Sequence, residues 1–423
     1  FDHCSFGWSV EENMNTADAH FLTVQHSIVH EGLYNAGHSK GARGYGCQWG
    51  GSPATYHHNL LANNNSRSPR FNGARGEDYV VVMEYVNNVN YNYGTRGGCY
   101  GGENTAGIAS YNGLNSAHEC NFINNYYKPG PNSSKTELWF VNSSYARDGA
   151  TSWAPAQWWV DGNVGEGFAT ATADNWKAMN AEVYSLARIR AAQRIVPANP
   201  YYKYTLAGPV GTYVPERFML TGYQSANDAY EHVLAHAGTV NRDIVEQRVA
   251  EEARTGRHAF GGSLGSTRGI IDKETDAEGF YAYSTDYTVP ADTDGDGMPD
   301  EWETTMGLDK DTPDNNRLNA DGYTALEVYM ASLMGETMST DFSMSGIEAV
   351  VDRTEMTYDA STGVLSVDPR AVGGTLSVYT TDGRMIMDRV LTSASTTLHL
   401  PYGISLLRIE GRAIAPRVLK VAK

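Results

Sequence analysis

The sequence predicts an all-β chain built on a parallel β-helix, followed by a short helical segment, a small calcium-loop module and a C-terminal β-sandwich. Three observations point there. Residues 1 to about 130 carry short β-branched or aromatic runs with no sustained helical periodicity. Within them one phrase, a polar pair followed by apolar residues, keeps returning. After about residue 345 strand alternation resumes, as in Leu376-Ser377-Val378-Tyr379 and Leu406-Leu407-Arg408-Ile409.

The repeated phrase reads Gln25-His26-Ser27-Ile28-Val29, His58-Asn59-Leu60-Leu61, Asn87-Asn88-Val89 and Asn124-Asn125-Tyr126-Tyr127. With His26, Asn59, Asn88 and Asn125 aligned, the intervals are 33, 29 and 37 residues. Such uneven spacing suits coils whose loops vary in length. Polar residues at one coil position can stack as hydrogen-bonded ladders inside a solenoid. A hairpin sandwich would instead space its strands more evenly, with two-residue turns. The Trp- and Tyr-rich stretch from about 131, including Trp139-Phe140-Val141 and Gln157-Trp158-Trp159-Val160-Asp161-Gly162-Asn163, completes the coils and takes the domain to residue 215.

Segment 216–290 contains two helical patterns that pack on the solenoid's end or side. One has Ala226, Ala229, Tyr230 and Val233 at helical spacing and stops at Gly238; the other starts at Asn241 and ends near Gly256. Segment 291–340 is an acidic module. There Asp292, Asp294, Asp296, Gly297, Asp300 and Glu303 match positions 1, 3, 5, 6, 9 and 12 of an EF-hand loop, with the Met298 carbonyl at position 7. The loop is similar to EF-hand and thrombospondin type 3 calcium loops, and Ca²⁺ there reads as structural. Asn319-Ala320-Asp321-Gly322 with Glu327 looks like a degenerate second loop. Segment 345–423 reads as the β-sandwich.

Composition narrows the function. The 423 residues are 41% hydrophobic and 19% charged, enough for two or three domains with a substantial core. A net charge of -17 argues against nonspecific nucleic-acid binding, and no run approaches the length of a membrane-spanning helix. The chain opens at Phe1 without an initiator Met, a basic n-region or an apolar h-region, and so reads as truncated at its front. Cys4, Cys47, Cys99 and Cys120 either form two bridges, in one of three pairings, or remain buried thiols.

Against the acidic background, residues 38–75 hold Lys40, Arg43, Arg67, Arg70 and Arg75 with no Asp or Glu. Tyr45, Trp49, Tyr56 and Phe71 are interleaved, a pattern suited to a polyanion bearing carboxylates and apolar ring faces. The glycines of Gly44-Tyr45-Gly46 and Trp49-Gly50-Gly51 would let backbone approach a ligand. The pair His57-His58 invites a metal reading, but adjacent residues of a strand face opposite sides, which argues against it.

Five ordered motifs carry a resemblance: Asp2 through Glu12, Gly37-His38-Ser39-Lys40-Gly41, Gly44 through Gly51, Tyr56 through Leu61, and Asn65-Ser66-Arg67-Ser68-Pro69-Arg70-Phe71. Together they resemble the second half of the catalytic domain of pectate lyases of polysaccharide lyase family 1, over roughly the first half of the chain. The resemblance implies a right-handed parallel β-helix that cuts polygalacturonate by Ca²⁺-dependent β-elimination. It implies Arg67 as the base and Lys40 as the residue that meets the substrate carboxylate. Arginine can accept a proton only where other cations disfavour its charge. Arg70, at a slightly different offset from the family's second arginine, is the implied substrate clamp, and His38, Arg43, Trp49 and Arg75 complete the substrate contacts. Glu11 and Glu12 match the family's acidic pair of Ca²⁺ ligands; a further Asp ligand, and a signal peptide, would lie before Phe1.

The C-terminal block resembles the sorting domain of the type IX secretion system. The residues that carry this are the Asp382-Gly383-Arg384 turn, Tyr402-Gly403 before a strand, and Arg417-Val418-Leu419-Lys420-Val421. It implies export to the surface or medium of a Bacteroidetes-type bacterium, with the secretion machinery as partner; separately, the chain is expected to be a monomer. A carbohydrate-binding sandwich is the other reading of this block. For the whole chain, two alternatives stand beside the pectate lyase: a pectin lyase acting on methylated substrate, and a non-catalytic polyuronate-binding or adhesin β-helix.

Overall fold

The structure, a computed structural model, describes residues 1–17, 19, 22–51, 53–73, 81–94, 98–102, 118–143, 156–181, 190, 222–282, 287–342, 356–360, 362–367, 369–380, 384–401, 404–411 and 414–422. The chain divides into two compact units, Phe1–Thr285 and Asp286–Lys423.

In the first unit each turn of the chain lays down three short strands, and every strand pairs in parallel with the equivalent strand one coil away. The first sheet runs Ser5–Gly7, Ile28–His30, Leu60–Ala62, Val89–Tyr91, Tyr126–Lys128 and Val164–Gly165. The second runs Glu12–Asn15, Tyr45–Trp49, Arg70–Phe71, Tyr100–Gly101, Val141–Ser143 and Met179–Ala181. The third runs Leu22–Gln25, Ala54–His57, Val81–Val86, His118–Ile123 and Gln157–Asp161. This is the strand order of a parallel β-helix. Its interior is aromatic: Trp49 stacks on Tyr56 at 4.4 Å and Tyr85 on Phe122 at 5.0 Å, all four rings fully buried.

The polar ladder occupies the turn between the third and first sheets. Asn59 Nδ2 donates to Asn88 Oδ1 (3.0 Å), Asn88 to Asn125 (3.2 Å), Asn125 to Asn163 (2.9 Å) and Asn163 to Asn175 (2.9 Å). Each of these four amides also donates to a backbone carbonyl of the preceding coil, Asn59 to Val24 O and Asn88 to Tyr56 O for example. Buried amides are tolerable because their donors are used; an orphaned one costs about 1–3 kcal/mol. The ladder corrects the alignment in the first coil. Ser27, not His26, pairs with Asn59, its N–H donating to Asn59 Oδ1 at 3.0 Å across an interval of 32 residues. His26 shares instead the position before the ladder residue, where His58, Asn87, Asn124 and Gly162 also have left-handed backbone, φ 45° to 68°. That conformation closes the turn and is one that Asn and Gly tolerate best.

Both expected helices form, at Ala226–His236 and Ile244–Thr255; the second starts at Ile244 and not at Asn241, because Asp243 is its N-cap. Ser225 caps the first, Asp243 and Glu246 form a capping box on the second, and Gly256 ends it at φ 70°. They cover the outer face of the first sheet, where Val233, Val249 and Ala253 join Ile28, Leu60 and Val89 in one apolar cluster. Their seat is also polar: Arg248 makes a bidentate pair with buried Glu31, at 2.7 and 2.9 Å.

The second unit opens on the acidic segment, with helices Asp300–Met306 and Ala325–Leu333 around a cluster that includes Met298, Val328 and Phe342. Beyond it, a three-stranded and a four-stranded antiparallel sheet share a core of Leu365, Leu376, Val378, Leu398, Leu407 and Ile409. The expected features at Asp382, Gly383, Tyr402 and Gly403 lie outside the described residues. Among the described residues no helix is long and apolar enough to cross a membrane.

Candidate functional site

On the second sheet, strand register sets Asn15, Gln48, Arg70, Tyr100, Asn142 and Asn180 in one row across successive coils. Arg67 enters this row from the turn just before Arg70, with left-handed backbone at φ 58°. Its guanidinium pairs with Glu12, donates from Nε to Tyr100 OH at 3.2 Å and from Nη1 to Gln48 Oε1 at 3.2 Å, and lies 4.0 Å from the centre of the Tyr45 ring. A planar donor held at three edges and one face has little freedom left. Gly46 is required here: a Cβ on it would stand 2.6 Å from Arg67 O, the carbonyl that accepts from Cys47 N–H. Gly46 therefore makes room for the next coil's backbone and not for a ligand.

Glu11 takes the other side of the cluster, with His38 Nε2 3.2 Å and Arg43 Nε 3.9 Å from its carboxylate. Arg43 also donates to Tyr45 OH at 3.0 Å. The basic strip is thus balanced by acids from the preceding coil, which the linear sequence places far from it. Lys40 is exposed, and its ammonium has no ion pair among the described residues. As a pair, Glu11 and Glu12 offer too few oxygens for Ca²⁺, which takes six to eight, and their charges already face cationic side chains. They fit that ion only where a substrate carboxylate adds its own oxygens.

Two expected substrate contacts move. Trp49 is fully buried against Tyr56, because it lies on the strand face that fills the coil interior, and so presents no ring to a ligand. Arg70 is 2% exposed and donates to Gln48 Oε1 at 2.6 Å, the same oxygen that holds Arg67. It supports the arginine in front of it and is not placed to clamp a substrate. Arg75 lies outside the described residues. Gln48 and Tyr100 join the site beyond the residues that the sequence singles out, and Tyr45, expected as one of the strip's aromatics, packs on Arg67; Gln48 sits inside the Gly44–Gly51 motif, where its polar end was the available signal. The cysteines are free thiols, with Cys47, Cys99 and Cys120 buried.

The acidic loop is a different kind of site. Asp292, Asp294 and Asp296 bring oxygens within 4.8 Å of one another, as do Asp296, Glu303 and Asp314. Glu303 is fully buried, and both its oxygens, with Asp294 Oδ2 and Asp314 Oδ1, lack a hydrogen-bond partner among the described residues. Burial, and then the neighbouring aspartates, push the Glu303 carboxyl up to about 7. Orphaned, converging, all-oxygen donors are what a hard divalent cation requires. Asp314 is an addition to the motif. Asp300, expected as a ligand, accepts instead from Thr293 N and Oγ1, both at 2.7 Å. In the degenerate second loop, Asn319 Oδ1 accepts from Asp321 N and Tyr323 N while Glu327 completes a capping box, so these residues shape a turn and a helix start.

No family model matches the chain. It is similar to a protein of Aspergillus flavus named "Probable pectate lyase C", 28% identical over 337 residues, which cover 79% of this chain and 65% of that protein. The protein of the same name from Aspergillus fumigatus is 28% identical over 340 residues, 80% of this chain and 66% of that one. The one from Emericella nidulans is 26% identical over 340 residues, 79% and 64%. The chain spans about 65% of the length of the curated relatives it matches, and across four fifths of its own length the proteins it is similar to are named as pectate lyases.

Proposed function

We propose that the chain is a secreted polysaccharide lyase that cleaves polygalacturonate, the pectin backbone, by Ca²⁺-dependent β-elimination, giving unsaturated oligogalacturonides. The observation that carries this reading is the immobilised Arg67, set among Glu12, Gln48, Tyr100 and Tyr45 in a chain similar to fungal pectate lyases. Exposed Lys40 meets the uronate carboxylate, with Arg43 and His38 alongside. Ca²⁺, held by Glu11 and Glu12 together with uronate oxygens, would stabilise the charge that develops on the C6 carboxylate. Arg67 takes the C5 proton; the C5–H electrons form the C4=C5 double bond, the C4–O bond breaks, and the departing oxygen takes a proton from water. Before that step Glu12 has to release Arg67 and the guanidinium has to give up one proton to water, because only the neutral guanidine can accept the C5 proton.

In the second unit, Asp292, Asp294, Asp296, Glu303 and the Met298 carbonyl, joined by Asp314, hold a structural Ca²⁺. Residues 345–423 act as the export sorting domain, with secretion machinery as partner.

The test is absorbance of the unsaturated product on polygalacturonate. Product that forms and is abolished by chelator supports the reading. Binding without product favours the non-catalytic alternative, and activity on methylated pectin that survives chelator favours a pectin lyase. Truncation after Gly335 should leave activity per molecule unchanged and block export; loss of polysaccharide affinity with normal export would make the block a binding module.

A further inference from the structure

The first unit carries a second cluster of chemistry-bearing side chains, away from the second sheet, at the turn between the third and first sheets. His26 and His58 occupy the same left-handed position in successive coils, and His57 ends the strand that pairs with Leu22–Gln25. The sequence argument that adjacent His57 and His58 face opposite sides fails here. It holds for extended backbone, but His58 has φ 55°, which swings its ring round until the two Nδ1 atoms lie 2.7 Å apart. His26 closes the group: one nitrogen from each of the three imidazoles lies within 4.8 Å of the others.

We propose that His26, His57 and His58 bind a first-row transition metal ion, Zn²⁺ foremost, that clasps two successive coils at this turn. Two features support the assignment. His58 Nε2 stands 3.1 Å from Gln224 Oε1; with Nε2 donating to that oxygen, His58 Nδ1 is the ligating nitrogen, and His57, which would donate from Nδ1 across the 2.7 Å contact, carries its proton on Nε2 once an ion enters. Outer-shell hydrogen bonds of this kind fix the tautomer of metal-ligating histidines. His26 Nδ1 is buried with no hydrogen-bond partner, an arrangement that otherwise has only a cost.

The geometry needs little adjustment. Two nitrogens on one tetrahedral zinc, each about 2.0–2.1 Å away, are separated by about 3.3 Å, so the His57 and His58 rings part by about half an ångström. Two further imidazoles flank the group: His3 stacks on His26 with ring centres 4.8 Å apart, and the His232 ring centre is 5.3 Å from those of both His26 and His58. His232 belongs to helix Ala226–His236, and Gln224, just before its Ser225 cap, already accepts through its carbonyl from Asn87 and Asn124 Nδ2 at 2.8 Å. A bound ion would tie this helix to the coils. Imidazole donors suit Zn²⁺, Cu²⁺ and Ni²⁺ and do not suit the Ca²⁺ of the acidic loop.

The experiment is calorimetric titration of the full chain with Zn²⁺ in saturating Ca²⁺, which keeps oxygen-ligand sites filled. One Zn²⁺ should bind per chain at micromolar concentration or below, with a rise in melting temperature. His26→Asn with His58→Asn installs the residue that later coils carry at the same position, Asn87 and Asn124, and should weaken this binding at least 100-fold. Unchanged stoichiometric binding in that double variant, or no stoichiometric binding in the wild-type chain, overturns the proposal. Should the variant not fold, X-ray absorption of the Zn²⁺-loaded wild-type chain decides: imidazole scattering supports the site, and an all-oxygen shell overturns it.

Discussion

The two carboxylate clusters of this protein contrast in how their charge is met. Glu11 and Glu12 in the first unit lie against His38, Arg43 and Arg67, side chains of the next coils. Asp292, Asp294, Asp296, Glu303 and Asp314 in the second unit gather with buried oxygens unpartnered, and the Glu303 carboxyl is pushed up to about 7. Both look like Ca²⁺ ligands in the linear sequence. The difference teaches that an acidic motif calls for an ion in proportion to how little cationic charge the fold brings to it. The second cluster is short of cationic charge by itself, whereas the first already faces His38, Arg43 and Arg67.

The largest effect is expected at the balanced cluster. Arg67→Lys keeps the charge and loses the planar fork that meets Glu12, Gln48 and Tyr100 together, so turnover on polygalacturonate should fall by about 10²–10⁴-fold. Oligogalacturonate affinity should stay within a few fold; near-normal turnover would remove Arg67 as the base.

Balanced charge also anchors the helices. Arg248→Met leaves Glu31 buried without its bidentate partner, and denaturant unfolding should show a loss of about 3–5 kcal/mol. Burial raises the Glu31 carboxyl, but the hydrogen bonds from His30 and Arg248 outweigh it and hold the group down to about 2. Its contribution is therefore complete above about pH 4.5, the unfolded value, and is lost as pH falls from there through about 2. The variant should show a flatter stability profile over that window; a profile parallel to wild type would mean that His30 alone sets the shift.

At the unbalanced cluster, Ca²⁺ at a hundred times its dissociation constant should stabilise the second unit by about 2.7 kcal/mol, a gain that chelation removes. Glu303→Gln should raise the Ca²⁺ needed, since one neutral amide oxygen replaces a carboxylate. Proteolysis around residues 291–336 is the readout. Protection that is equal with and without Ca²⁺ would mean the acidic loop needs no ion.

The smallest effect should come from Gln48→Leu, which removes the acceptor shared by Arg67 and Arg70. Turnover should drop about 10-fold with the Michaelis constant little changed, as for a lost positioning contact. A rise in the Michaelis constant alone would make Gln48 a substrate contact.

Much of this was legible in the chain itself. Asn59, Asn88 and Asn125 announced the coils because a buried amide has to repeat at one position to satisfy its neighbours, and that repetition is written in the sequence. The acidic loop was legible for a similar reason: its ligands are close in sequence and a local turn gathers them. Helices 226–236 and 244–255 announced themselves through periodicity and caps. What only the tertiary structure decided is how each coil closes and how successive coils lie on one another. Stacking set Glu12 on Arg67 and put Arg70 behind Gln48, and closure of one coil buried Trp49 against Tyr56. The left-handed turn at His58 brought its ring onto His57, where strand alternation alone would separate them. Local periodicity reports which face a residue takes in regular backbone. The partner across a coil, and the side chain's direction at a turn, depend on register and on φ, and these are set by the packing of the whole solenoid.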